Sequence, residues 1–278
     1  MIDTQSSSLN SLTNSLFEQL CDEITDRVTA RINMPVFSAK SAHFQNVALK
    51  PIGNDRTLAG KIDHTFLKPD ATAQDIDRVC KEARENGFAT VCVNSSHVAQ
   101  AALALQGSDT VAISVVGFPL GAGSTSAKAF EASEAIRNGA REIDMVLNIG
   151  ALKAGDYETV AHDIQAVVRA SAPHPVKVIL ETCQLTLEQK IIGCALSKAA
   201  GAHFVKTSTG FSTGGATVED IQLMRKIVGP TMGVKASGGI KTFEDAQKMI
   251  AAGANRIGAS SSVSIVHHAP AVGPQSGY

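Results

Sequence analysis

The chain has 278 residues, a formal net charge of −1 and a sequence pI near 6.7, with 44% apolar and only 4% aromatic residues. The near-neutral charge excludes the basic footprint of a nucleic-acid or anionic-membrane binder. No apolar run approaches the roughly 18 residues that span a bilayer, and the length suits two small domains or one barrel of about 250 residues.

Met1 to Asn14 is polar and lacks the basic-then-apolar order of a secretory signal. The five cysteines, Cys21, Cys80, Cys92, Cys183 and Cys194, are odd in number and include no Cys-x-x-Cys pair. That pattern argues against a disulfide framework or a zinc knuckle. A soluble cytoplasmic protein with free thiols is expected.

From Leu9 the apolar residues Leu12, Leu16, Phe17, Leu20, Ile24, Val28 and Ile32 recur at helical spacing. One long amphipathic helix is expected there, packed on the main domain or on a second subunit. A turn-rich linker through Pro35, Pro51 and Gly53 follows, so residues 1–54 read as a helical extension. The apolar stripe makes a homo-oligomer, taken as a dimer, the expected assembly.

A different rhythm begins near Leu58. Four helical patterns end in Gly87, Gly139, Gly201 and Gly253, each followed within a few residues by a short apolar strand. Glycine just past a helix supplies its left-handed cap, so each is a helix-to-strand return. Filling the gaps predicts strands near Ile62–Phe66, Thr90–Val93, Ala112–Val116, Ile143–Leu147, Val176–Leu180, Phe204–Lys206, Gly233–Ser237 and Arg256–Gly258. Helices are expected over Ala71–Asn86, Ser126–Asn138, Tyr157–Ala170, Leu187–Ala200, Val218–Val228 and Phe243–Ala252. Eight alternating units imply a parallel α/β sheet, closed as a (β/α)8 TIM barrel over residues 55–266, with a flexible tail over 267–278. The alternative is an open doubly wound sheet, but no G-x-G-x-x-G opens its first turn.

Such barrels place their chemistry at the C-terminal strand ends. Asp144, Lys206 and Lys235 interrupt otherwise apolar strands there, and period-two alternation turns all three inward. Lys206 and Lys235 end consecutive strands, so their backbones should lie about 5 Å apart. An ordinary lysine is only about 0.04% neutral at pH 7. Burial and a neighbouring ammonium both disfavour the charged form, and together make one lysine a usable nucleophile toward a carbonyl. The plainer reading, three charges paired for structure alone, stays open on this pattern.

Ser237-Gly238-Gly239 follows the seventh strand and Gly258-Ala259-Ser260-Ser261 the eighth. Exposed backbone N–H groups and serines at these places make an anion cradle where barrels often hold phosphate. Lys241 is positioned to add charge, and Thr242 with Asp245 has the spacing of a capping box. Asp63 and Thr65 share the inward face of the first strand as candidate substrate-lining residues. Cys92 reads as a small buried thiol and Glu181 as a partner for the lysines. The histidines, including His64, His97, His162 and His203, show no metal-ligand spacing. A Schiff-base aldolase, a phosphate-binding isomerase without a covalent intermediate, and a non-catalytic barrel all remain compatible with these residues.

The segments Lys61-Ile62-Asp63-His64-Thr65-Phe66-Leu67-Lys68-Pro69, Glu142-Ile143-Asp144-Met145-Val146 and Phe204-Val205-Lys206-Thr207-Ser208-Thr209-Gly210-Phe211 resemble those of deoxyribose-phosphate aldolases. So do Val234-Lys235-Ala236-Ser237-Gly238-Gly239-Ile240 and Ile257-Gly258-Ala259-Ser260-Ser261, all in order between Leu58 and Val266. The resemblance implies reversible cleavage of 2-deoxy-D-ribose 5-phosphate to acetaldehyde and D-glyceraldehyde 3-phosphate, with no metal or organic cofactor. It implies Lys206 as the Schiff-base residue, Lys235 as the group that depresses its pKa, and Asp144 as a proton relay. Gly210, Gly238, Gly239, Ser260 and Ser261 would hold the phosphate, although Phe211 stands where some members carry lysine. A mobile tail ending in tyrosine, here Tyr278, would carry a proton to the enamine carbon.

Overall fold

The computed structural model describes residues 3–32 and 58–268. The linker prolines and Tyr278 fall outside these residues. Eight parallel strands run β1 (Ile62–Thr65), β2 (Thr90–Val93), β3 (Val111–Val116), β4 (Glu142–Val146), β5 (Val176–Ile179), β6 (Phe204–Lys206), β7 (Gly233–Ser237) and β8 (Arg256–Ala259). They pair in sequence order and β8 returns to β1, so the sheet closes as a barrel rather than opening as a doubly wound sheet.

The helices are α1 (Asp3–Arg31), α2 (Ala73–Asn86), α3 (Val98–Ala104), α4 (Thr125–Arg137), α5 (Ile149–Ala154), α6 (Tyr157–Ser171), α7 (Leu187–Ala199), α8 (Val218–Val228), α9 (Phe243–Ala251) and α10 (Ser262–Val266). The glycine returns are real: Gly87 caps α2 in the left-handed region, and Gly139, Gly201 and Gly253 follow their helices with positive φ. The Thr242–Asp245 capping box at the start of α9 is formed reciprocally, and Thr72–Asp75 and Thr186–Gln189 do the same for α2 and α7.

Helix α1 packs along α7 of its own chain. Cys21, Ile24, Val28 and Ile32 form its buried face, whereas Leu20 is 45% exposed. At 100° per residue Leu20 lies about 85° round the helix from the centre of that face, at its margin. The side chains of Leu12, Leu16 and Phe17 are outside the described set. Arg27–Glu188 (2.5 Å) and Lys226–Glu18 (3.2 Å) flank the contact.

The main core lies between the strands and the ring of helices, with Val91, Ile143, Val178, Val205, Val234 and Ile257 facing outward into it. The barrel interior is divided. Beside β2 and β3 it is apolar, filled by Leu67, Cys92, Ile113 and Val115. Across from these, β1 and β4–β8 contribute charged side chains. One further buried ion pair lies outside the barrel interior: Lys128 of α4 meets Asp163 of α6 at 2.6 Å and donates to the Val146 carbonyl at 3.0 Å.

Candidate active site

Lys206 is the last residue of β6 and stands in direct register with Lys235 on β7. Both ammonium groups converge on one carboxylate oxygen: Asp144 Oδ2 lies 3.0 Å from Lys206 Nζ and 2.7 Å from Lys235 Nζ. The inward positions two residues earlier add a deeper layer. Lys177 of β5 reaches Asp144 Oδ1 at 3.0 Å and also pairs with Glu142, the first residue of β4. Asp63 of β1 lies 2.5 Å from Lys235, accepts from Thr90 Oγ1 at 2.7 Å, and holds Arg256, the first residue of β8, at 2.6 Å.

Burial of so many charges is tolerable only because they pair. Burial opposes ionisation of Asp144, yet Lys177, Lys235 and Lys206 overcome it and hold the carboxyl well below its ordinary range. Asp63 is held low in the same way, by Arg256, Lys235 and Lys177 against burial. Lys235 is also penalised by burial, but Asp144 and Asp63 raise it above an ordinary lysine. Lys206 goes the other way: burial and then the Lys235 charge lower it, with Asp144 only partly compensating. Two lysines side by side thus have opposite tendencies, one fixed as a cation and one biased toward the free amine.

Gly258 of β8 makes room for this arrangement. A methyl group there would lie 2.9 Å from Lys235 Cε and 3.0 Å from Ser237 Cβ, too close for carbon atoms. The loops above are stitched together as well. Thr207 Oγ1 donates to the Ser237 carbonyl (2.9 Å) and accepts from Ser237 N (3.0 Å), while Ser237 Oγ donates to the Ser208 carbonyl at 2.6 Å.

A cavity of about 730 Å³ opens at this end of the barrel. Thr65, Gly210, Gly238, Gly239, Ser260 and Ser261 line it, and so does Lys241. The backbone at Gly239 has φ +78°, and a side chain built there meets nothing within 4 Å, so the space above it is open. Lys206 is not among the lining residues, its side chain being 3% exposed.

Two expectations change, and the site proves larger than the sequence suggested. Asp63 does not line the cavity; it sits two residues before Thr65, one layer deeper, where its carboxylate is needed by Lys235 and Arg256. Glu181 does not partner the lysines. Its left-handed backbone (φ 57°) turns the carboxylate toward Thr209, whose N–H and hydroxyl it accepts from, organising the loop after β6. The ion network extends beyond the residues singled out from sequence, to Lys177, Glu142 and Arg256. Lys177 carried the same signal as Lys206, a lysine inside an apolar strand.

Cys92 is fully buried, and its thiol is pushed up to about 11 by burial, so it is held as a neutral thiol. Phe211 stacks edge-on against Phe118 with ring centroids 5.2 Å apart. Among the described residues no group of three His, Cys, Asp or Glu side chains is spaced to hold a metal ion. Nor is any described helix long and apolar enough to cross a membrane.

A closed parallel barrel with charged side chains gathered at its strand ends, beneath an open glycine-lined cavity, has the architecture of a (β/α)8 enzyme. Comparison with known proteins narrows the class. The DeoC/LacD family aldolase profile matches residues 57–268, and the chain belongs to that family of carbon–carbon lyases. The deoxyribose-phosphate aldolase of Brevibacillus brevis is 61% identical over 217 residues, spanning 78% of this chain and 97% of the relative. A Coccidioides immitis protein crystallised as a candidate deoxyribose-phosphate aldolase superposes with TM-score 0.76 and 42% identity, covering 90% of this chain and 96% of its own. The tetrameric deoxyribose phosphate aldolase of Aeropyrum pernix gives TM-score 0.71 and 33% identity over 76% of this chain and 89% of its own.

Proposed function

We propose that this aldolase reversibly cleaves 2-deoxy-D-ribose 5-phosphate to acetaldehyde and D-glyceraldehyde 3-phosphate through a Schiff base on Lys206. The observation that carries the reading is the placement of Lys206: buried at the end of β6, opposite a lysine held charged, and itself biased toward the neutral amine. The names of the relatives support the substrate.

In this reading the free amine of Lys206 attacks the sugar's aldehyde carbon, and loss of water leaves a protonated imine. The C3 hydroxyl then gives up its proton as the C2–C3 bond breaks. The bonding pair moves into the iminium, releasing D-glyceraldehyde 3-phosphate and leaving an enamine. Protonation of the enamine carbon and hydrolysis free acetaldehyde and regenerate Lys206. Asp144, whose Oδ2 touches both lysines, relays protons, and Lys235 keeps Lys206 from holding its own proton. Gly210, Gly238, Gly239, Ser260 and Ser261 take the phosphate, with Thr65 beside them on the cavity wall. Tyr278 delivers the proton to the enamine carbon. We propose a cytoplasmic homo-oligomer, a dimer, to be counted by light scattering; the tetrameric relative from Aeropyrum supports self-association.

Borohydride reduction in the presence of acetaldehyde, followed by peptide mapping, tests the chemistry. The expected result is one ethyl adduct on Lys206. An adduct on Lys235, or none, overturns the assignment. Tyr278→Phe should slow turnover while leaving the trapped adduct undiminished.

A further inference from the structure

The charged side chains inside the barrel form a closed circuit. From Asp144 it runs to Lys177 (3.0 Å), on to Glu142, then to Arg256 (3.3 Å), Asp63 (2.6 Å) and Lys235 (2.5 Å), and back to Asp144 at 2.7 Å. Signs alternate at every step, so three carboxylates balance two ammonium groups and one guanidinium. Lys206 hangs from this ring at a single atom, the Asp144 oxygen that Lys235 already holds. It is the surplus charge.

We propose that Glu142 and Arg256, at the base of the barrel, are positioning residues that set the protonation state of Lys206 through this circuit. The proposal rests on Lys206 being the reacting amine. Every carboxylate in the ring is neutralised without Lys206, so its protonation adds an uncompensated charge to a buried site, which is costly. The repulsion from Lys235 is one part of this effect. Without Arg256, Asp63 and Glu142 would carry unbalanced negative charge, and Lys206 would keep its proton as their counterion. The remaining titratable groups facing the site do not alter the balance. Cys92, from β2, is held as a neutral thiol, and His203, just before β6, is pushed toward its neutral form by burial and then by Lys177.

Opposite charge changes test this. A unit charge about 10 Å away, at an effective dielectric near 20, moves a neighbour's titration by about one pH unit. In the full-length chain, the pH midpoint for borohydride trapping of acetaldehyde on Lys206 is measured for four variants. Arg256→Met leaves the ring one negative charge in excess, and its midpoint should rise by about one unit. Glu142→Gln leaves one positive charge in excess, and its midpoint should fall. The double variant restores the balance and should return to the parent value, as should Arg256→Lys, which keeps the charge. Loss of packing alone would not move two midpoints in opposite directions and cancel in the double variant. Should Arg256→Met fail to fold, Glu142→Gln against the double variant gives the same comparison. Midpoints that stay put, or move the same way, overturn the circuit. Absence of an adduct on Lys206 in the unsubstituted chain overturns the proposed chemistry instead.

Discussion

Gly258→Ala adds one methyl group at a crowded point of the barrel interior. The new carbon would stand 2.9 Å from Lys235 Cε and 3.6 Å from its Nζ. Carbon atoms in ordinary contact are about 3.5–4.0 Å apart, so Cε has to retreat by about 0.6–1 Å. A lysine end in open space would simply swing aside. Here Nζ is held by a charge-assisted hydrogen bond to Asp144 at 2.7 Å and by an ion pair with Asp63 at 2.5 Å, so it has little freedom to move. Ser237 Cβ, 3.0 Å away on the neighbouring strand, closes the other escape. Overpacking of this kind costs about 1–3 kcal/mol. For a domain of this size that lowers Tm by roughly 2–10 °C, and turnover falls with it as Lys235 leaves its place opposite Lys206. Calorimetry and retro-aldol assays on Gly258→Ala, Lys235→Met and the double variant separate the causes. If the cost comes from a lysine end that its two carboxylates hold in place, the methyl group costs less stability in the Lys235→Met background, whose terminal carbon is untethered and can swing aside, by about 1 kcal/mol. A Gly258→Ala protein with parental Tm and turnover would refute the reasoning.

Lys235→Leu removes the charge that repels Lys206 and leaves Asp144 to hold it; the Lys206 pKa rises, so the acid limb of activity moves to more alkaline pH, read from the pH dependence of turnover. An unmoved limb contradicts the repulsion argument. Gly239→Val forces a branched residue into φ +78° and plants it in the cavity, so KM should rise far more for deoxyribose 5-phosphate than for deoxyribose. Equal increases would place the phosphate elsewhere. Asp163→Ala leaves the Lys128 ammonium buried beside the Val146 carbonyl with its carboxylate partner gone, and denaturant unfolding should show a loss of about 3–5 kcal/mol. Activity per folded molecule should hold, since neither residue lines the cavity.

Strands β2, β4, β6 and β8 were readable because each is a short apolar run just after a helix-ending glycine, and filling the gaps between them counts eight units. The short helices α3, α5 and α10 were not, since five to seven residues give too little periodicity to register. At the site, Asp144, Lys206 and Lys235 stood out as charges in apolar strands. Lys177 shows the same contrast, but it is the second residue of β5 and lies below the strand ends where chemistry is sought. Glu142 and Arg256 open their strands, where a charged residue ordinarily faces water. Nothing local reveals that they meet across 114 residues of chain. Glu181 was misplaced because its direction depends on a left-handed backbone that no neighbouring glycine announces.

That the ring of charges closes without Lys206 has a consequence for how this barrel is maintained over generations. Most residues in a core are held by the stability they provide, and their loss is punished through the abundance of the protein. Lys206 has no such protection. Its replacement by an apolar residue removes a buried amine whose charge the ring does not balance and strands no carboxylate, because Asp144 keeps Lys177 and Lys235. An inactive descendant would fold at least as well as its parent. On the proposed role of Lys206, the amine at this position would be kept by selection on turnover alone, a trade of stability for activity concentrated in a single side chain.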